Sequence, residues 1–298
     1  MKKLMFVAPW VRCPVCDHPI QIEDSQVTGY FSGKPVICSN GHQLADWWRT
    51  ACQEIEENFM FNQAFAFIGA QTVIFRLSLQ PGKRVAYRFS DFDIPRDARI
   101  LYVNYTPQGR GLFPIEMHGN VPTRRFVNDE VVVFPVPFGP DNSAVDTEVS
   151  VMVSWVPRTA DDESWQSLTN AFESYAQTQY SSMIVPANVA VESALSRFLT
   201  AYLEKFVAKN RVEDFLENAA TYGHQLNVVL PVLAKLNSLP DLPDHVRGVL
   251  NRLRSLRNEL AHTGVLEQPL DQRGAAELLC GALFGLHYVR HANKLLQT

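Results

Sequence analysis

Four side chains constrain the front of this chain before any hydrophobic core is considered. Cys13-Pro14-Val15-Cys16 sets two thiols in one short turn, and Cys38-Ser39-Asn40-Gly41-His42 sets a thiol and an imidazole in another. A tetrahedral zinc ion takes four soft or borderline ligands, and each turn offers two of them at once. The chain holds five cysteines, an odd number, and four of them precede residue 53. That distribution favours a metal site over a disulfide framework. Between the two turns, Gln21-Ile22, Val27-Thr28 and Pro35-Val36-Ile37 predict a small hairpin carrying Gly29 and Gly33 in its turn. Residues 1–45 are therefore expected to form a zinc ribbon with Cys13, Cys16, Cys38 and His42 as ligands; His18 and Cys52 are the alternatives for the fourth position. All four positions being filled, the Zn(2+) is expected to be structural, with no coordination site open for catalysis. A ribbon of this size buries too little apolar surface to fold alone, so the metal supplies its stability.

Residues 46–58 follow as a linking helix, with Trp47, Trp48, Cys52 and Ile55 on its apolar side and Glu54, Glu56 and Glu57 solvated. The two tryptophans are expected to dock the ribbon onto the next domain, a stacking platform being the alternative reading. Over residues 59–158 the pattern changes to short runs rich in β-branched and aromatic residues: 70–79, 84–89, 99–105, 112–117, 130–136 and 147–155. Pro81-Gly82, Pro107 and Gly139-Pro140-Asp141-Asn142 separate them. Strands at this spacing predict an antiparallel β-sandwich. Arg84, Arg88, Arg96, Arg99, Arg110, Arg124 and Arg125 alternate there with Tyr87, Phe89, Tyr102, Tyr105, Phe113 and Phe126. Such interleaving suits a single-stranded nucleic acid, but it is more often the outer face of a sheet.

From residue 161 to 298 the period is helical, and the fold class is multidomain α+β: ribbon, sandwich and carboxy-terminal bundle. Predicted helices cover 161–182 with Asp161 as cap, 186–206 opened by Pro186, 211–222 stopped by Gly223, 225–239, 243–263 and 271–296. Short connections between antiparallel helices imply a bundle. In the helix opened by Pro243 and closed by Gly264, Val246, Val249, Leu250, Leu253, Leu256 and Leu260 form one stripe. Arg257 falls inside that stripe, where a guanidinium is costly without partners or a cleft. Glu192, on the mainly apolar 186–206 helix, is a candidate partner, although an ordinary exposed Glu is the commoner case. Cys280, within an almost continuously apolar run, reads as a buried small hydrophobe.

The string Arg257-Asn258-Glu259-Leu260-Ala261-His262 resembles the Arg-polar-x-x-x-His signature of the HEPN superfamily, helical bundles of nucleic-acid defence, toxin–antitoxin pairs and RNA processing. The resemblance implies a metal-independent endoribonuclease site made of Arg257, Asn258 and His262 and shared across a homodimer. Residues five apart on a regular helix are rotated by about 140°, so Arg257 and His262 converge only if the helix end loosens or a second copy supplies the facing half. On this reading the 2′-hydroxyl of the RNA attacks, His262 exchanges a proton, Arg257 stabilises the phosphate, and the products carry a 2′,3′-cyclic phosphate and a 5′-hydroxyl. Two other readings stand beside it: a non-catalytic RNA- or protein-binding dimeric module, and a structural adaptor. The net charge of −4 and pI of about 6.1 exclude a broadly basic nucleic-acid coat and require any RNA contact to be local. No run reaches the ~18 apolar residues of a membrane span, and the short apolar stretch after Lys2-Lys3 lacks a cleavage site. A cytoplasmic protein, a regulated effector with a possible regulatory partner, is the expectation.

Overall fold

The computed structural model describes residues 4–6, 10–21, 24–44, 46–57, 70–109, 111–117, 130–138, 144–156 and 163–297. The chain is a mixed α/β protein, and its two compact units are not consecutive in sequence. One comprises residues 1–8 and 69–159; the other comprises 9–68 and 160–298.

The first unit is built from antiparallel sheets. Strand β1 (Leu4–Phe6) lies at one edge of a four-stranded sheet, next to β6 (Gln71–Leu79), β11 (Thr147–Val156) and β8 (Arg99–Pro107). A three-stranded sheet has the order β7 (Val85–Arg88), β10 (Glu130–Phe138), β9 (Gly111–Met117). The registers follow the apolar alternation: Val149, Val151 and Val153 of β11 face Leu77, Phe75 and Val73 of β6. Both sheets contribute to one core, where Phe75, Leu79, Leu112, Val133 and Val151 are almost completely buried. A strand places every second side chain on the same face, so these runs can bury one face and wet the other. The interleaved arginines and aromatics divide accordingly. Tyr87 and Phe89 point into the core, with the Tyr87 hydroxyl 2.7 Å from that of Tyr105. Arg88 lies outside and pairs with Glu130 at 3.1 Å. Arg110, Arg124, Arg125 and Phe126 fall outside the described residues, as does the expected cap Asp161.

The second unit carries the cysteine-rich segment and the helices together. Strands β2 (Trp10–Arg12) and β3 (Pro19–Gln21) flank the first turn, and β4 (Val36–Ile37) and β5 (Gln43–Leu44) flank the second. The expected hairpin between them is instead a helix, α1 (Asp24–Phe31). Val27 and Phe31, four residues apart, are both buried, and that helical spacing outweighs the β-branched Val27-Thr28 pair. Gly33, not Gly29, takes the left-handed turn, at φ 76°.

Helix α2 (Trp47–Glu56) is capped by Asp46, which accepts from the Arg49 amide at 3.0 Å. Then come α3 (Glu163–Ala176) and α4 (Tyr180–Leu203). The break between them falls at residues 177–179, where Thr178 is left-handed at φ 58°. Pro186 does not open α4; it lies inside the helix's second turn, where packing of Met183, Ile184 and Ala187 outweighs the lost backbone donor. Helix α5 (Lys209–Asp214) runs into a wide π-turn, Phe215–Ala219. Gly223 does not end that segment but sits within the next turn, α6 (Tyr222–His224), followed by a second π-turn, Gln225–Val229, and α7 (Leu230–Leu236). Helices α8 (Asp244–Thr263) and α9 (Gln272–Gln297) complete the unit. Gly281 and Gly285 let α9 approach α8 closely: a Cβ at 281 would stand 2.5 Å from Val249 Cγ1, and one at 285 would stand 3.0 Å from Leu250 Cδ1. Among the described residues no helix is long and apolar enough to cross a membrane.

Candidate functional site

The two cysteine-bearing turns bring four ligand atoms together. Those of Cys13, Cys16, Cys38 and His42 all lie within 4.8 Å of one another. Cys16 Sγ is 3.9 Å from Cys38 Sγ, and His42 Nδ1 is 3.9 Å from Cys13 Sγ and 3.5 Å from Cys38 Sγ. With metal–sulfur and metal–nitrogen bonds of about 2.3 and 2.0 Å, tetrahedral edges come to about 3.5–3.8 Å, so the donors fit one small cation. His18 and Cys52 lie outside this cluster. Local backbone makes the geometry. The Asp17 amide bonds the Cys13 carbonyl at 2.8 Å, the Gly41 amide bonds the Cys38 carbonyl at 2.9 Å, and both Asp17 and Gly41 adopt positive φ. The turns thereby curl each ligand pair around one point. Burial pushes the Cys13 thiol up, whereas the His18 amide and the Asn40 side chain, 3.4 Å from its sulfur, draw Cys16 down to about 6. Amide donors of this kind stabilise a metal-bound thiolate. Four protein ligands fill a tetrahedron, so such an ion holds the fold and presents no open position.

The segment between the turns is seated on the helices by aromatic side chains. Phe31 meets Tyr288 edge-on at 5.4 Å between ring centroids and stacks on His291 at 6.1 Å; Trp47 and Trp48 meet Phe284 at 4.9 and 5.2 Å. The Tyr30 hydroxyl lies 3.1 Å from His245 Nε2, at the start of α8, and Trp48 packs on the same imidazole at 5.0 Å. Desolvation depresses the His245 and His291 pKa values. The Tyr175 hydroxyl donates to the Ile55 carbonyl at 3.0 Å, tying α2 to α3.

Helix α8 runs from this contact to the Arg–His string. Val246, Val249, Leu250 and Leu253 are buried; Leu256 and Leu260 are only half-buried. Arg257 is held in place. Its Nη2 donates to Glu192 Oε2 at 2.7 Å, and its Nη1 donates to Asn258 Oδ1 at 3.0 Å. The pair is about one-third exposed on each side. Glu192 is itself oriented by the fully buried Asn188, whose Nδ2 donates to the same Oε2 at 2.8 Å. The partner considered for Arg257 from sequence is thus the one it has. Asn188 had no signal in the sequence: a carboxamide on an apolar helix looks like any other until its neighbour is known.

His262 is exposed in the last turn of α8. The helix stays regular to Thr263, and Gly264 closes it in the left-handed conformation, its amide bonding the Leu260 carbonyl at 2.9 Å. Among the described residues no hydrogen bond joins Arg257 to His262, and regular helical rotation sets them on different faces. Asn258, on the exposed side, is a hydrogen-bond partner of Arg257 and not of His262. Val185 and Val189, on the same helix as Glu192, are 45% and 38% exposed, and Val265, just past the end of α8, is 67% exposed. Cys280 is fully buried, as a small hydrophobe would be. No protein-family model, curated protein or solved structure matches the chain.

Proposed function

We propose that this chain is an endoribonuclease of the HEPN type, with Arg257, Asn258 and His262 as its site and a homodimer as its working form. The observation that carries the reading is the fixed guanidinium: Arg257 is aimed by Glu192 and Asn258 at the surface of the helical unit. A guanidinium has five donors; two are used here, leaving others for a phosphate. Pre-orientation spares the entropy of ordering that group when substrate arrives.

In the mechanism, Arg257 binds the scissile phosphate and stabilises the charge that gathers on its oxygens in the transition state. His262, exposed at the end of α8, takes the proton from the RNA 2′-hydroxyl or returns one to the 5′-oxygen. The 2′-oxygen attacks phosphorus, the bond to the 5′-oxygen breaks, and the products carry a 2′,3′-cyclic phosphate and a 5′-hydroxyl. Because Arg257 and His262 of one protomer face different ways, the site is completed across a two-fold contact, where each copy brings the same patch. The half-buried Leu256 and Leu260, with exposed Val185, Val189 and Val265, supply apolar surface for that contact. The ion in the ribbon is Zn(2+), held by Cys13, Cys16, Cys38 and His42, and it stabilises the segment that braces α8. We read the protein as a cytoplasmic effector of defence or of a toxin-like system, gated by the sheet-bearing unit or a partner.

The test is cleavage of end-labelled RNA by wild type, Arg257→Ala and His262→Ala, with product ends identified. The reading requires loss of cleavage in both variants and retention of their oligomeric state. Binding of RNA without cleavage by wild type would select the non-catalytic module instead. Failure to bind RNA even at low salt would select the structural adaptor, since phosphate contacts strengthen as salt falls.

A further inference from the structure

Helix α8 carries four arginines, and three have acidic partners. Arg247 pairs with Asp244 at 3.6 Å, Arg252 with Glu277 at 3.0 Å, and Arg257 with Glu192 at 2.7 Å. Arg254, one turn before Arg257, has no acidic partner among the described residues, and its half-buried side chain leaves Nε fully enclosed without a hydrogen-bond acceptor. Burying an unpaired guanidinium edge is costly, yet the surroundings are shaped to receive it. Its Nη1 lies only 1.8 Å from where a Cβ on Gly223 would stand, so residue 223 has to lack a side chain. The turn bearing Gly223 is clamped to α8. Asn227 and Asn251 exchange amide hydrogen bonds at 2.9 and 3.0 Å, while Asn227 also holds the Gly223 carbonyl at 2.9 Å. On Tyr222, the residue before Gly223, the hydroxyl is buried with unused hydrogen-bonding capacity, as is Asn188 Oδ1 on α4. Burial pushes the Tyr222 hydroxyl up, the Glu192 charge raises it further, and the charges of Arg254 and Arg257 lower it.

We propose that Arg254, laid against Gly223, is a second phosphate contact for the RNA strand, next to the phosphate held at Arg257. Residues three apart on a helix stand about 5–6 Å from each other at Cβ, so the two guanidinium groups present a short cationic track suited to neighbouring phosphates of one strand. This inference rests on the ribonuclease reading for its ligand but uses a residue outside the Arg–His string. It makes the substrate a chain with at least two consecutive phosphodiesters, not a mononucleotide. Arg254 acts here as a binding residue.

The test uses a short 2′-O-methyl oligoribonucleotide, which binds but lacks the attacking hydroxyl, and reads its affinity by fluorescence anisotropy across a salt series. Each single-strand phosphate contact contributes about 0.7 to the slope of log K against log salt. Arg254→Gln is expected to lower that slope by about 0.7, and Arg254→Gln with Arg257→Gln by about 1.4. Arg252→Gln, on the side of α8 that pairs with Glu277 of α9 and away from Glu192 and Gly223, leaves it unchanged. Gly223→Ala keeps every charge but displaces the guanidinium, and is expected to weaken binding with no change in net charge; melting curves establish that each variant is folded. An Arg254→Gln slope equal to wild type overturns the subsite, as does absence of wild-type binding at low salt. Cleavage with an unaltered slope would leave the nuclease standing and remove the subsite. A lowered slope without cleavage would do the reverse.

Discussion

The two ends of helix α8 are finished differently. At its start, His245 meets Tyr30 and Trp48, and Val246, Val249, Leu250 and Leu253 are buried against neighbouring helices. At its end, Leu256 and Leu260 are half-buried, Arg257 is held by a partly exposed ion pair, and His262 is exposed. One amphipathic stripe runs the whole length, but the chain covers only its first half. The covered half is a stability device: aromatic and aliphatic contacts that substitution damages in proportion to volume removed. The open half carries a guanidinium held by a partly exposed ion pair and, on a different face of the helix, an exposed imidazole. The lesson is that the same periodic pattern can specify a core and an interface, and only burial separates them.

Breaking the braced end gives the largest effect. Chelation of the metal, or Cys38→Ser, should unfold the segment around residues 10–44 and lower the melting temperature of the whole unit, because Phe31, Tyr30 and Trp47 lose their support; structural zinc contributes on the order of 10 kcal/mol to such small folds. Calorimetry and limited proteolysis would show it, and an unchanged melting temperature would separate the ribbon from the helices. Next is Phe284→Ala, which removes the ring between Tyr30, Trp47 and Trp48. A loss of about 3–5 kcal/mol is expected in denaturant unfolding.

At the open end the order of effects on stability and on activity should reverse. Arg257→Ala removes a partly exposed ion pair and should cost about 1 kcal/mol or less, while abolishing cleavage. Glu192→Gln keeps the shape but removes the charge that aims Arg257; a fall of about 10²-fold in cleavage, with RNA binding retained, marks a positioning role. A large loss of stability with ordinary activity in either variant would make this end a core like the other.

The smallest effect is a pH dependence at the braced end. His245 and His291 both have pKa values below the ordinary 6.5, chiefly through desolvation. The unfolded chain then binds more protons than the folded one between the depressed values and 6.5, so stability rises with pH through that window and is lost on acidification below 6.5. His245→Gln should flatten the dependence in thermal melts from neutral pH downward. A steeper dependence in that variant would reverse the assignment.

The ligand set Cys13, Cys16, Cys38 and His42 was legible because coordination imposes spacing that the backbone has to match. The strands between residues 70 and 156 were legible from alternation, and the stripe of α8 from its period; β1 (Leu4–Phe6), expected within the ribbon, instead pairs with β6. What joins distant segments was not. Nothing in Tyr30-Phe31 points to Phe284 and Tyr288, more than 250 residues away, and an unpaired Gly223 reads as a helix stop until Arg254 is seen lying on it. Local signals also misplaced two elements. Val27-Thr28 suggested a strand where burial of Val27 and Phe31 makes a helix, and Pro186 suggested a helix start that tertiary packing moves six residues earlier, to Tyr180.

The central claim is that Arg257 and His262 act on one scissile phosphate. The direct measurement is the chemistry of RNA ends produced by wild type, Arg257→Ala and His262→Ala without added divalent metal. Wild type is expected to give 2′,3′-cyclic phosphate and 5′-hydroxyl ends, and neither variant is expected to cleave. Equal cleavage by all three proteins, or products ending in 3′-hydroxyls, would contradict it.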